Sequence, residues 1–175
     1  MIHNLQKYII TIKNFPNYKT PLVNAFGERD YDDISQFTGL TSPFDSREAA
    51  LEFWQTPLSK LGFSELLDYW NTTMLPGQEH NTHTHTEHGW DVDDTITTYT
   101  AVLFCKYDLT VHKPTYFADN PLKINEYKPI VAEGDCLVFP SNIYHRAPLN
   151  NSSLTRITSM CVFTISTDVS AFINT

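Results

Sequence analysis

The sequence predicts an all-β fold, a double-sheet barrel or jelly roll with a short helical cover at its N-terminal end. Three observations lead there. From Ser64 onward, runs rich in β-branched and aromatic residues recur at short spacing: LLDYWNTTML, THTHTEH, TITTYTAVLFCKYD, PTYFA, KPIVAE, CLVFPS and TRITSMCVFTIS. Turn signals at Pro76-Gly77, Asp119-Asn120-Pro121 and Asn150-Asn151-Ser152 separate them. Helix signals fall only in the first third of the chain, which favours an all-β sandwich, barrel or jelly roll over a βαβ fold.

In chain order, residues 7–15 (KYIITIKNF) read as a first strand that Pro16 ends. Pro21, Gly27, Gly39 and Pro43 make residues 17–44 a stretch of loops and short irregular elements. Asp45 followed by Glu48 fits a capping box for a helix over 46–55, with Leu51 and Trp54 toward a core. Pro57 breaks or kinks that helix, and a further turn runs to Leu61. Residues 1–63 thus form the strand and helical cover and residues 64–167 the β core, within a single domain spanning 1–175. No repeat or low-complexity tract divides the chain.

Composition narrows the function. With 175 residues, 41% hydrophobic and 13% aromatic, the chain has material for one packed core. Twenty acidic against twelve basic residues, a net charge of −8, leave no basic stripe of the kind that displaces counterions from nucleic acid, so no nucleic-acid partner is expected. Nowhere do eighteen apolar residues stand together, and the N-terminus lacks the pattern of a signal peptide, so no membrane association and a cytoplasmic location are expected. Cys105, Cys136 and Cys161 lie in apolar runs without a CxxC spacing and read as reduced core thiols. Oligomeric state leaves no mark on the sequence.

One skew stands out: four of the seven histidines fall between residues 80 and 88. If this stretch is a strand, alternation puts His83, His85 and Glu87 on one face and Thr82, Thr84 and Thr86 on the other. Neighbours two apart lie about 7 Å apart at Cα and can converge on one ion, whereas four apart is about 13 Å. The pair is therefore His83 with His85, or His85 with Glu87. His80 and His88 read as solvated or hydrogen-bonded side chains. A third ligand must come from elsewhere, and the segment from Gly134 to His145 offers it: a Gly-Asp turn, an apolar strand ended by Pro140, then His145. Eleven positions later Arg156 stands among apolar strand residues, with Thr158 on the same face. Arg146 is the rival cation, but alternation sends it away from His145's side.

Together, His85-Thr86-Glu87, the segment Gly134 to His145, and Arg156 with Thr158 resemble the Fe(II)- and 2-oxoglutarate-dependent dioxygenases of the prolyl-hydroxylase-like type. The resemblance covers roughly residues 64–167. More narrowly, Trp70, Gly77 and His83-Thr84-His85 are similar to a bacterial and phage branch of that superfamily. The resemblance implies a double-stranded β-helix, a cupin-like jelly roll, with His85, His145 and either Glu87 or His83 holding Fe(II). It implies Arg156 and Thr158 at the far carboxylate of 2-oxoglutarate. A carboxylate suits Fe(II), which favours Glu87; the narrower branch and the cupin spacing of glycine, five residues and His-x-His favour His83. The implied activity is a dioxygenase that hydroxylates a peptide side chain or small molecule, using O2 and releasing succinate and carbon dioxide. Two other readings stand beside it: a cupin-type metalloenzyme without 2-oxoglutarate, and a non-catalytic β-barrel binding or virion protein. The cupin reading gives Arg156 and Thr158 no special reason.

Acidic residues Asp91, Asp93 and Asp94 read as a solvated loop. Trp70, Trp90, Tyr99 and Phe104 read as core or pocket lining without a catalytic part.

Overall fold

A computed structural model of the chain describes residues 5–22, 39–41, 43–85, 98–122 and 125–166. Within them the chain is mainly β: ten strands in two antiparallel sheets, one α-helix and three short 3₁₀ turns. The larger sheet has the order β1 (Ile10–Ile12), β8 (Cys136–Pro140), β5 (Thr98–Lys106), β10 (Arg156–Ile165), β3 (Phe63–Met74), β2 (Gly39–Thr41). The smaller has the order β4 (His80–His83), β9 (Tyr144–Ala147), β6 (Tyr116–Ala118), β7 (Glu126–Tyr127). This is the expected double-stranded β-helix.

Alternation along the central strands builds two cores, one on each side of the large sheet. On β10, Cys161, Phe163 and Ile165 face outward with Ala101, Leu103 and Cys105 of β5 and meet the helix α1 (Arg47–Leu58). Met160 of β10, Val102 and Phe104 of β5, and Leu137 and Phe139 of β8 instead face the small sheet, packing with Phe117. Fully burying each large apolar side chain contributes about 1.5–3 kcal/mol. These two faces therefore fix the register of the strands that carry the functional residues. All three cysteines are buried and free.

Helix α1 starts one residue later than the sequence predicts, because Ser46, and not Asp45, is the N-cap, its Oγ accepting from the Ala49 N–H at 3.2 Å. Ala50, Trp54 and Leu58 form the buried stripe, four residues apart, whereas Leu51 is exposed. Pro57 does not break the helix. It stands in the last turn, which continues to Leu58 and tightens into a 3₁₀ turn ended by Gly62 at φ +78°.

Other elements differ from expectation in instructive ways. The first strand is only Ile10–Ile12, following a 3₁₀ turn over Leu5–Tyr8. KPIVAE is not a strand; the pairing residues are Glu126 and Tyr127 just before it. An additional strand, β9, carries His145 itself, which alternation alone did not distinguish from a residue just beyond β8. The histidine strand ends at His83, so His85 stands past it, and Glu87 and His88 lie outside the described residues. No described helix is long and apolar enough to cross a membrane.

The Gly-Asp turn before β8 shows why those residue types are needed. Gly134 takes φ +86°, and a Cβ there would stand 3.2 Å from the Tyr18 ring. Asp135 accepts from the Ala132 N–H at 2.8 Å and pairs with Lys13 at 2.6 Å, closing the turn from which β8 leaves.

Candidate metal centre

Three imidazoles converge between the sheets. Cross-strand pairing sets His83 of β4 opposite His145 of β9, and Phe117 of β6 opposite His145 on the other side. His85 joins them because its backbone N–H donates to the Ser141 carbonyl at 2.9 Å, tying the end of the histidine segment to the end of β8. The ligand-capable nitrogens of His83, His85 and His145 all lie within 4.8 Å of one another. Ligands about 2.0–2.1 Å from a common ion stand roughly 3–4 Å apart. His85 Nε2 and His145 Nε2 are already 3.0 Å apart.

Backbone carbonyls aim the rings. His145 Nδ1 lies 2.9 Å from the Ile143 carbonyl, and His83 Nδ1 lies 2.7 Å from that of Asn81. A carbonyl only accepts, so each Nδ1 carries the proton and each Nε2 presents a lone pair. This is the usual outer support of a metal-binding histidine. His83 Nε2 is buried with no hydrogen-bond partner among the described residues. A buried polar atom left unpaired is costly, and a metal ion removes that cost. Behind the trio, Phe139 lies 4.9 Å from the His145 ring and Trp70 meets His85 edge-on at 5.2 Å. The donor set therefore fits a divalent transition metal.

Burial also keeps these imidazoles neutral, as metal ligands must be. It pushes His85 down to about 3, with His83 and His80 adding to the effect, and His80 down to about 4. Burial likewise lowers His83, against the Asn81 carbonyl, and holds His145 well below its ordinary value. The sign of the stability effect follows. Unfolded histidines titrate near 6.5, so between that value and about 4 the unfolded chain binds protons that the folded one refuses. Metal-free protein is accordingly most stable above pH 6.5 and loses stability as the pH falls, on the order of 1 kcal/mol per pH unit for each such histidine. The urea midpoint of chelator-treated protein is expected to be clearly lower at pH 5.0 than at pH 7.5. An unchanged midpoint would contradict the burial described.

Arg156 opens β10 with only 3% of its surface exposed. Its Nη1 donates to the Lys113 carbonyl at 2.8 Å, and its guanidinium carbon stands 5.8 Å from the Phe104 ring centroid. Among the described residues its buried Nε has no partner, and no carboxylate pairs with it. Burial lowers it to about 10, against the Tyr107 phenol, so it stays charged at neutral pH. Thr158, buried and two residues on, shares its face, with Phe104 opposite on β5. A buried cation with a free donor beside a buried hydroxyl is a receptacle for an anionic group.

The rival Arg146 is spoken for. Its Nε and Nη2 donate to the two Glu126 oxygens at 2.7 and 3.2 Å, and it stacks over Tyr116 at 5.0 Å. Of the aromatic residues, Trp70 and Phe104 line the space between the sheets, whereas Tyr99 belongs to the outer core and Trp90 lies outside the described residues.

Two features around the site escape sequence reasoning. A register irregularity between His80 and His83 brings the His80 ring to 4.2 Å from that of His83, although simple alternation puts them on opposite faces. Asn150, legible only as a turn residue, donates from its side chain to the carbonyls of Met74 at 3.2 Å and Leu154 at 2.8 Å. It clasps the β3–β4 turn to the loop leading into Arg156.

Solved structures share this fold. A Pseudomonas putida prolyl-4-hydroxylase is 14% identical, the match covering 93% of this chain and 96% of that one with a TM-score of 0.60. The viral collagen prolyl hydroxylase vCPH from Paramecium Bursaria Chlorella virus-1, in its 2-oxoglutarate complex, is 16% identical over 90% of this chain and 97% of that one, with a TM-score of 0.59. HygX from Streptomyces hygroscopicus, with nickel and 2-oxoglutarate bound, is 11% identical over 95% of this chain and 86% of that one, with a TM-score of 0.67. No family model matches the chain, and no curated protein matches it significantly in sequence. The fold is thus that of the 2-oxoglutarate- and Fe(II)-dependent oxygenases.

Proposed function

We propose that this chain is an Fe(II)- and 2-oxoglutarate-dependent oxygenase whose metal is held by His83, His85 and His145. Arg156, with Thr158, receives the far carboxylate of 2-oxoglutarate. The observation that carries this reading is one buried arginine, paired with no carboxylate among the described residues, between the same two sheets as three converging imidazoles. A metal-only site has no use for such a cation, which ranks a cupin-type activity lower. The sequence favours Glu87 as a ligand, whereas the orphaned Nε2 of His83 favours His83, and we assign the position to His83.

Bound Fe(II) would supply activation of dioxygen coupled to oxidative decarboxylation of the 2-oxo acid, giving succinate and carbon dioxide. The chain's own residues place the reactants. Ile143 and Asn81 hold two imidazoles in the ligating tautomer. Arg156 orients the co-substrate by a charge-assisted fork in a desolvated site, where the pair is stronger than in water. Phe104, Phe139 and Phe117 form an apolar wall that excludes water. Three neutral ligands leave the cation's charge uncompensated, and a dianionic co-substrate answers both it and Arg156. The reaction on the prime substrate is assigned as hydroxylation of a peptide side chain or a small molecule. Within this fold, the Trichoplax adhaerens prolyl hydroxylase was solved with a peptide fragment and HygX with hygromycin B.

Anaerobic calorimetry of 2-oxoglutarate with nickel-loaded and chelator-stripped protein tests the reading. Binding is expected only to the loaded form, at micromolar concentration. A loaded protein that takes up no 2-oxoglutarate would sink it.

A further inference from the structure

His80 is the one imidazole of the cluster that neither the sequence pattern nor the metal uses. Its ring lies 4.2 Å from that of His83, inclined by 32°. No hydrogen bond to its ring nitrogens is formed among the described residues, although the residue is more than half buried. Its place along the site follows from topology. Met74, the last residue of β3, pairs with Arg156, the first of β10. The chain then turns through Pro76 and Gly77, with Gly77 N–H on the Asn150 carbonyl at 2.8 Å, and His80 opens β4. His80 therefore stands at the Arg156 end of β4, and His83 and His85 follow toward the other end. The charge of Arg156 is felt at His80, in keeping with that order.

We infer that His80 is a co-substrate-binding residue, donating its ring N–H to the far carboxylate of 2-oxoglutarate beside Arg156 and Thr158. This rests on the oxygenase reading above. A neutral imidazole offers one donor and one acceptor. A carboxylate held by the Arg156 fork retains lone pairs that a further donor can fill. The register irregularity between His80 and His83 gives this placement a purpose: it turns a residue of the wrong parity toward the site.

The test uses calorimetry on nickel-loaded protein with two probes: 2-oxoglutarate, and 2-oxovalerate, which lacks the far carboxylate. His80→Phe keeps a ring on His83 and removes the donor; His80→Gln restores a donor without a ring. His80→Phe is expected to weaken 2-oxoglutarate binding by about 10- to 100-fold, the worth of one hydrogen bond to a charged group. It should leave 2-oxovalerate and nickel binding within about threefold of wild type. His80→Gln is expected to recover most of the loss. Equal 2-oxoglutarate binding by wild type and His80→Phe overturns the inference. So does a parallel loss of nickel, which makes His80 a ligand, or an equal loss of both 2-oxo acids, which makes its role structural. If wild-type loaded protein binds no 2-oxoglutarate, the oxygenase reading itself has failed, and that outcome is distinct from all of these.

Discussion

His83→Ala is expected to lower the affinity for a divalent transition metal by more than 100-fold, while Glu87→Ala leaves it within about threefold. Loss of an outer-shell partner alone typically costs 10- to 100-fold, and loss of a direct ligand costs more. His83 Nε2 is buried, lone-pair-bearing and unpaired, and it faces two further imidazoles. Its removal takes away a ligand and, among the described residues, leaves only the Asn81 carbonyl without its hydrogen bond. Metal-free His83→Ala is therefore expected to unfold within about 1 kcal/mol of wild type. Competition titration against a chromogenic chelator reads the metal affinity. The reverse ranking, with Glu87→Ala the damaging change, would replace the three-histidine centre by two histidines and a carboxylate.

Arg156→Met is expected to separate function from stability in the opposite direction to an ordinary core mutation. An arginine fork on a carboxylate makes two charge-assisted hydrogen bonds, each worth about 1.5–3 kcal/mol, so 2-oxoglutarate affinity should fall by roughly 100-fold or more. Without the co-substrate, the same guanidinium is a desolvated charge whose only hydrogen-bond acceptor among the described residues is the Lys113 carbonyl. Replacing a buried charge by an apolar side chain of similar shape is often neutral or stabilising by about 1–4 kcal/mol. Methionine can lie against Phe104 as the arginine stem does. Metal-free Arg156→Met should thus unfold at a urea concentration no lower than wild type. A marked destabilisation would mean that Arg156 is a structural cation with a partner inside the fold.

The order of elements was legible in the sequence because alternation and turn chemistry are local. TRITSMCVFTIS is β10, and its parity alone puts Arg156 and Thr158 on one face with Met160. The Gly134–Asp135 turn was legible because φ +86° against an aromatic ring admits little else. What parity cannot foresee is a register irregularity, since inserting one residue turns every later side chain over. That is why His80 read as a bystander and stands instead on His83. Nor can spacing show which cation finds a partner. Alternation ranks Arg156 above Arg146, but only the pairing of β9 with β6 and of β6 with β7 brings Glu126 to Arg146. The extra strand holding His145 is likewise set by its neighbours on either side, β4 and β6, and not by its own four residues.

The most direct measurement is release of carbon dioxide from carboxyl-labelled 2-oxoglutarate by the Fe(II)-loaded protein in air with ascorbate. Release matched by succinate, dependent on added iron and lost in both His145→Ala and Arg156→Met, is the predicted result. Iron bound tightly by the three histidines, with no 2-oxoglutarate consumed at any concentration, would contradict it.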